Sequence, residues 1–395
     1  MVDEIQAELL RYNENVFDLT SLEHGLRIPL PDEPFVQIWE AWAEEAREQG
    51  AFEVLRRHLP QLRFPIRAGI SETESYQAAT RRGVPPEEIP EATGLPLESP
   101  ERIELQIYQS PAGRIPLLIA RGREEFATLV RALSKRNEPA PVPSSQGALM
   151  IAGYNNWARV GELRQRWEEQ APTERATETW GEELARITPH RELYQDRFIL
   201  LSDGPYSAVP AADLALDEAS WREMSLVLRR DHECAHYFTR RVFGSMRNHL
   251  LDELIADSAG LIAATGRFRA DWFLRFLGLE DFPRYRPGGR LEIYRGNLSD
   301  GAFTVLQDLA RRAAENLERF DARFPAGPRS LEERALLIAT LASLRLDQIA
   351  SVVGVELLEE AMQRVCGSLT EAGSGGAGLE KGRGPTPQPR RWIER

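Results

Sequence analysis

The chain has 395 residues and carries 61 acidic against 49 basic side chains, a net charge of −12, so it lacks the basic excess that drives counterion release from a phosphate backbone. That argues against nucleic acid as a partner, and two cysteines, Cys234 and Cys366, make neither a disulfide framework nor a cysteine-based zinc site. The start "MVDEIQAELLRYNENVF" has no basic flank and apolar core of a secretory signal, and no run approaches the ~18 apolar residues of a membrane span, so a soluble, cytoplasmic protein is expected.

Residues 1–140 read as a mixed α and β domain of unknown role. "FVQIWEAWAEEAREQGAFEVLRRHL" has apolar residues at helical spacing, and "RIELQIYQSPAGRIPLLIA" is two alternating runs around a Pro-Gly turn, which predicts a β-hairpin. A helix over "REEFATLVRALSKR" ends in "NEPAPVPSS", a proline-rich connector that places a domain boundary near residue 140. Beyond it come a short apolar run, "GALMIAG", and "YNNWARVGELRQRWEEQ", a loop entering a helix. Asn155 and Asn156 there read as a turn with an N-cap, Asn156 being also a candidate substrate contact. A strand is expected at "RFILLS", then the turn-rich "DGPYSAVP".

Helical spacing follows over residues 218–243, 248–265, 271–277, 302–323 and 331–365. From Gly367 the chain is rich in glycine and proline, so 367–395 reads as a disordered tail. The expected fold class is therefore α+β: a mixed α/β region followed by a mostly helical domain, 141–366, with a small sheet.

The helix over 218–243, capped by Asp217 or Ser220 and stopped at Gly244, contains "DHECAH". His232 and His236 are one turn apart beside its apolar stripe, where both imidazoles can reach one zinc ion, and Glu233 is placed to take a proton from a metal-bound water. The next helix, "NHLLDELIADSAGLIAATG", is apolar nearly all round yet carries Asp252, Glu253 and Asp257. Buried carboxylates are costly without a cation or donor, and a metal accounts for them: Glu253 as third ligand, with Asp257 beyond it holding a ligand imidazole. An arginine partner for Glu253 or Asp257 is the structural alternative. Cys234, pointing away from the histidines, reads as a buried free thiol.

HExxH followed by ExxxD on the next helix resembles the gluzincin branch of the zincin metallopeptidases, over residues 232–260. The resemblance implies His232, His236 and Glu253 as zinc ligands, Glu233 as general base, and Asp257 orienting His232. It also implies a strand before the motif helix that binds substrate as an added β-strand, for which "RFILLS" is the candidate. No counterpart of the group that steadies the oxyanion is evident; His249, Tyr294, Tyr285 and Arg240 are the candidates. The expected activity is zinc-dependent hydrolysis of a peptide or amide bond in a peptide or protein substrate. The same two-histidine, one-glutamate set also describes an iron(II) oxygenase centre, and a non-catalytic binding protein with a vestigial site is the third reading.

Overall fold

The computed structural model describes residues 2–169, 179–247 and 249–371. The fold class is α+β, as expected, with 58% of the described residues helical.

Helix α1 (Val2–Tyr12) is followed by the single turn α2 (Thr20–Glu23) and strand β1 (Leu26–Ile28). The helical stretch around residue 50 divides into α3 (Val36–Gln49) and α4 (Ala51–His58), because Gly50 takes φ 86°, a conformation that a side chain would strain. Helix α5 (Glu74–Arg82) starts at Thr73, whose hydroxyl caps it. The predicted hairpin forms from β2 (Ile103–Ser110) and β3 (Gly113–Ala120), paired antiparallel along their whole length. Helix α6 (Arg123–Ser134), strand β4 (Ala148–Asn155), helices α7 (Trp157–Glu169) and α8 (Trp180–Ile187), and strand β5 (Gln195–Ser202) follow.

Helix α9 (Glu218–Phe243) has the expected span; the Asp217 carboxylate accepts from the Ser220 N–H at 2.9 Å, and Gly244, at φ 68°, ends it. Then come α10 (Leu250–Thr265), α11 (Ala270–Leu277) and α12 (Asp300–Asp321). The helical run expected over 331–365 is three pieces, α13 (Leu331–Ala342), α14 (Leu346–Ile349) and α15 (Gly354–Cys366). Gly354 permits the last turn: a Cβ there would lie 2.1 Å from the Ile349 carbonyl oxygen. Strand β6 (Leu369–Glu371) falls within the expected tail and pairs in parallel with β1; the remainder of that tail lies outside the described residues.

The larger sheet has the order β2-β3-β5-β4, with β3 and β5 parallel and both outer pairs antiparallel. Its strands come from both sides of residue 140, so the boundary expected there does not divide the structure: the proline-rich segment is a connector between α6 and β4 of one body. Local composition cannot reveal this, because strand pairing is long-range. The chain instead divides into residues 31–234 and a unit formed by residues 1–30 with 235–395, the change falling inside α9 after Cys234.

In the first of these units the sheet packs on a core of Trp39, Phe126, Leu129, Phe198 and Leu200, all fully buried. The central strands β3 and β5 read as continuous apolar runs because both faces are covered. The other unit is helical, with α10 and α15 packed on α13, and α1 on α12. Among the described residues no helix is long and apolar enough to cross a membrane.

Candidate metal centre

Helix α9 carries His232 and His236 one turn apart on its buried face, and the first turn of α10 carries Glu253; each is 7% exposed. Each of the three offers one ligand atom, and these atoms all lie within 4.8 Å of one another. The Nε2 of His236 stands 3.5 Å from Oε1 of Glu253. Bonds of about 2.0–2.1 Å at tetrahedral angles put neighbouring ligand atoms roughly 3.3 Å apart, so this pair fits a shared metal. Two imidazole nitrogens and one carboxylate oxygen form a donor set suited to zinc, with positions left for water or substrate.

The second ring nitrogen of His232, Nδ1, faces the hydroxyl of Tyr206 at 3.0 Å. The resemblance implies an orienting role for Asp257, and Tyr206 is a partner at this nitrogen that the resemblance did not supply. Tyr206 sits in the turn-rich stretch after β5, where Ser207 and Ala208 hold φ of 52° and 57°, a region that costs a non-glycine residue energy. The turn is fastened from α9: Ser225 accepts from the Tyr206 N–H at 3.0 Å, and Trp221 Nε1 donates to the Val209 carbonyl at 2.8 Å. Arg229, 4% exposed, donates to the carbonyls of Ser202, Gly204 and Pro205 and lies 5.5 Å from the Tyr206 ring centre. Helix α9 thus presents His232 and also anchors the turn that holds it.

Glu253 is fixed from a different direction. Tyr294 donates to its Oε2 at 2.9 Å, leaving Oε1 toward His236. Burial holds the Tyr294 hydroxyl well above its ordinary pKa, so it remains a donor. Arg290 lies 3.9 Å from the same Oε2 and pairs with the fully buried Asp257, so the arginine near these carboxylates comes from residue 290. Asp252 accepts from the Arg247 N–H at 2.8 Å, and burial raises its pKa. Tyr12, at the end of α1, joins two of these parts: its hydroxyl donates to the Tyr294 carbonyl at 2.9 Å and accepts from the Leu250 N–H at 3.3 Å.

Glu233 is half-buried, and among the described residues it forms no hydrogen bond or ion pair. Cys234 is 1% exposed, and burial pushes its thiol up to about 12, in keeping with an inert core position.

Several expected contacts are placed elsewhere. His249 is the N-cap of α10: its Nδ1 accepts from the Leu251 N–H at 3.4 Å, and its Nε2 meets the Tyr12 carbonyl at 2.9 Å. Asn156 is the N-cap of α7, accepting from Ala158 N–H and donating to the buried Asp196 at 2.6 Å. Tyr285 donates to the Gly289 carbonyl at 2.7 Å, and Arg240 is exposed. Tyr294 is at the site but spends its proton on Glu253. "RFILLS" lies in β5, paired on both sides, so it has no edge for an added strand; the edges are β2 and β4. Of these, β2 is tied to the motif helix by Tyr108, whose hydroxyl donates to Asp231 at 3.1 Å.

Tyr12, Tyr206, Arg229 and Arg290 were not singled out from sequence. Only the Tyr206 turn left a signal, in "DGPYSAVP" just before the motif helix.

The fold and this arrangement define an α+β protein with a buried cluster of two histidines and one glutamate that could hold a metal ion. The chain belongs to a family of unknown function (DUF7005), whose pattern matches residues 1–353. No curated protein and no solved structure matches it.

Proposed function

We propose that the protein is a zinc-dependent hydrolase of the gluzincin type that cleaves a peptide or amide bond. The observation that carries this reading is the convergence of His232, His236 and Glu253 in one buried cluster, with an unpartnered glutamate directly after the first histidine. Bound zinc would supply Lewis acidity, polarising the scissile carbonyl and bringing the pKa of a water toward 7. The chain's own part follows from the geometry. Glu233 takes the proton of the attacking water and returns it to the leaving amine as the C–N bond breaks and the C–O bond forms. Tyr206 and Arg229 keep His232 in one orientation; Tyr294 and Tyr12 do the same for Glu253. An extended substrate that adds a strand would use β2, the open edge joined to α9, in place of the interior strand β5.

The test is Glu233→Gln assayed on a degenerate peptide library by mass spectrometry. The variant should retain metal and lose at least about a hundredfold in turnover, the scale of general acid–base catalysis. Full activity in the variant, or turnover that requires oxygen and iron, contradicts the proposal.

A further inference from the structure

A second site lies within residues 31–234 and shares no residue with the metal cluster. A cavity of about 200 Å3 opens beside the edge strand β4, where the pairing with β5 shifts between Ala152 and Tyr154. Gly153, at φ 74°, forms the irregularity and lines the cavity. Helix α5 contributes Tyr76 and Arg81, and the end of α6 with the turn after it contributes Leu133 and Arg136.

Two features set this cavity apart from an ordinary surface depression. Arg81 and Arg136 are both exposed at it, and among the described residues neither forms an ion pair or a side-chain hydrogen bond. In a chain with 61 acidic and 49 basic residues, two arginines without an ion pair at one cavity are not expected by default. Burial pushes the Tyr76 hydroxyl upward, while the charges of Arg136 and Arg81 both pull it down, so the two guanidiniums act on one point. The Glu138 carboxylate, whose charge opposes those of the two arginines at Tyr76, is turned to the N–H groups of Gly69 and Ser71 at 2.9 and 3.0 Å.

The second feature is the backbone that presents Arg136. Arg136 and Asn137 take φ of 53° and 59°, two successive non-glycine residues in the left-handed region. Such a conformation persists only where its surroundings over-determine it. Here they do: the buried Asn137 side chain donates to the carbonyls of Gln61 and Phe64 at 3.0 and 2.9 Å and accepts from Tyr76 at 3.1 Å. Its own carbonyl accepts from the Arg67 N–H at 3.0 Å. Strain held by buried bonds delivers a cation to the rim of a cavity.

We propose that this cavity binds a small molecule through an oxyanion, a phosphate or carboxylate group gripped by Arg81 and Arg136, with a short carbon chain against Leu133 and Ile151. Guanidiniums recognise such groups through paired, charge-assisted hydrogen bonds. The volume restricts the ligand to a small metabolite and leaves no room for a polymer.

The test is calorimetric titration of the full-length, metal-stripped protein with inorganic phosphate and, separately, with succinate at matched ionic strength. At least one anion should bind at one per chain, and Arg81→Gln or Arg136→Gln should weaken it by about tenfold or more with an unchanged melting temperature. A preference for phosphate assigns a phosphomonoester ligand, and a preference for succinate a carboxylate. Heats of dilution alone for both probes overturn the proposal, as does binding that survives in the double variant. Stripping the metal keeps anions off the histidine cluster, so the outcome is independent of the proposed hydrolase activity.

Discussion

His232 is backed by a phenol, the Tyr206 hydroxyl at its Nδ1. To coordinate through Nε2, the imidazole must carry its proton on Nδ1 and donate it to the Tyr206 oxygen. Tyr206→Phe removes the acceptor while keeping the ring beneath Arg229, so it should weaken metal binding by about 10–100-fold in a chelator competition, with little change in the fold. His249 is a different case. Burial and the Arg247 charge push it down to about 4, and the bond that its Nδ1 accepts from the Leu251 N–H needs the neutral ring. Its folded pKa lies below the ordinary 6.5, so the unfolded chain binds the proton first as pH falls. The stability contribution is complete above about pH 6.5 and is lost toward pH 4, by up to about 3 kcal/mol. Denaturant melts of the wild type and His249→Asn between pH 6.5 and 4 should lose less stability in the variant.

Among the elements, α9 does two jobs, and a glycine ahead of β4 makes the second possible. A Cβ on Gly147 would lie 2.3 Å from Nε of Arg229, the side chain that ties down the Tyr206 turn. Gly147→Ala should therefore displace the guanidinium, cost about 1–3 kcal/mol in unfolding free energy, and weaken metal binding without touching a ligand. Helix α1 has a comparable reach over 238 positions, through the Tyr12 hydroxyl and the Leu250 N–H. Tyr12→Phe should lower metal affinity more than it lowers the melting temperature, because the bonds it deletes orient Tyr294 and α10.

For the whole molecule, what could be read from sequence followed the range of the interaction. The span of α9, its cap at Asp217, the β2–β3 hairpin and the one-turn spacing of the histidines in "DHECAH" are set within a few residues of chain, by periodicity and turn chemistry. "DELIAD" was legible because three acids on an apolar helix need a partner. The partners themselves were not: Arg290 reaches Asp257 across 33 positions, and Tyr294 reaches Glu253 across 41, with no periodic signal between them. The proline-rich segment near residue 140 misled for the same reason, since the pairing of β3 with β5 that joins its two sides is invisible to local composition. Asn156 and His249 were attractive as site residues for their chemistry, and both serve as helix caps, a common use of asparagine and here also of an imidazole nitrogen.

The central claim is that one metal ion is shared by His232, His236 and Glu253. Elemental analysis of the purified protein beside Glu253→Ala and Glu233→Gln tests it before any substrate is known. The account predicts about one zinc per chain in the wild type and in Glu233→Gln, and a large loss in Glu253→Ala, because removing one of three protein ligands breaks the set while altering the neighbouring base leaves it whole. Equal metal in all three proteins, or none in the wild type purified without chelators, would contradict it.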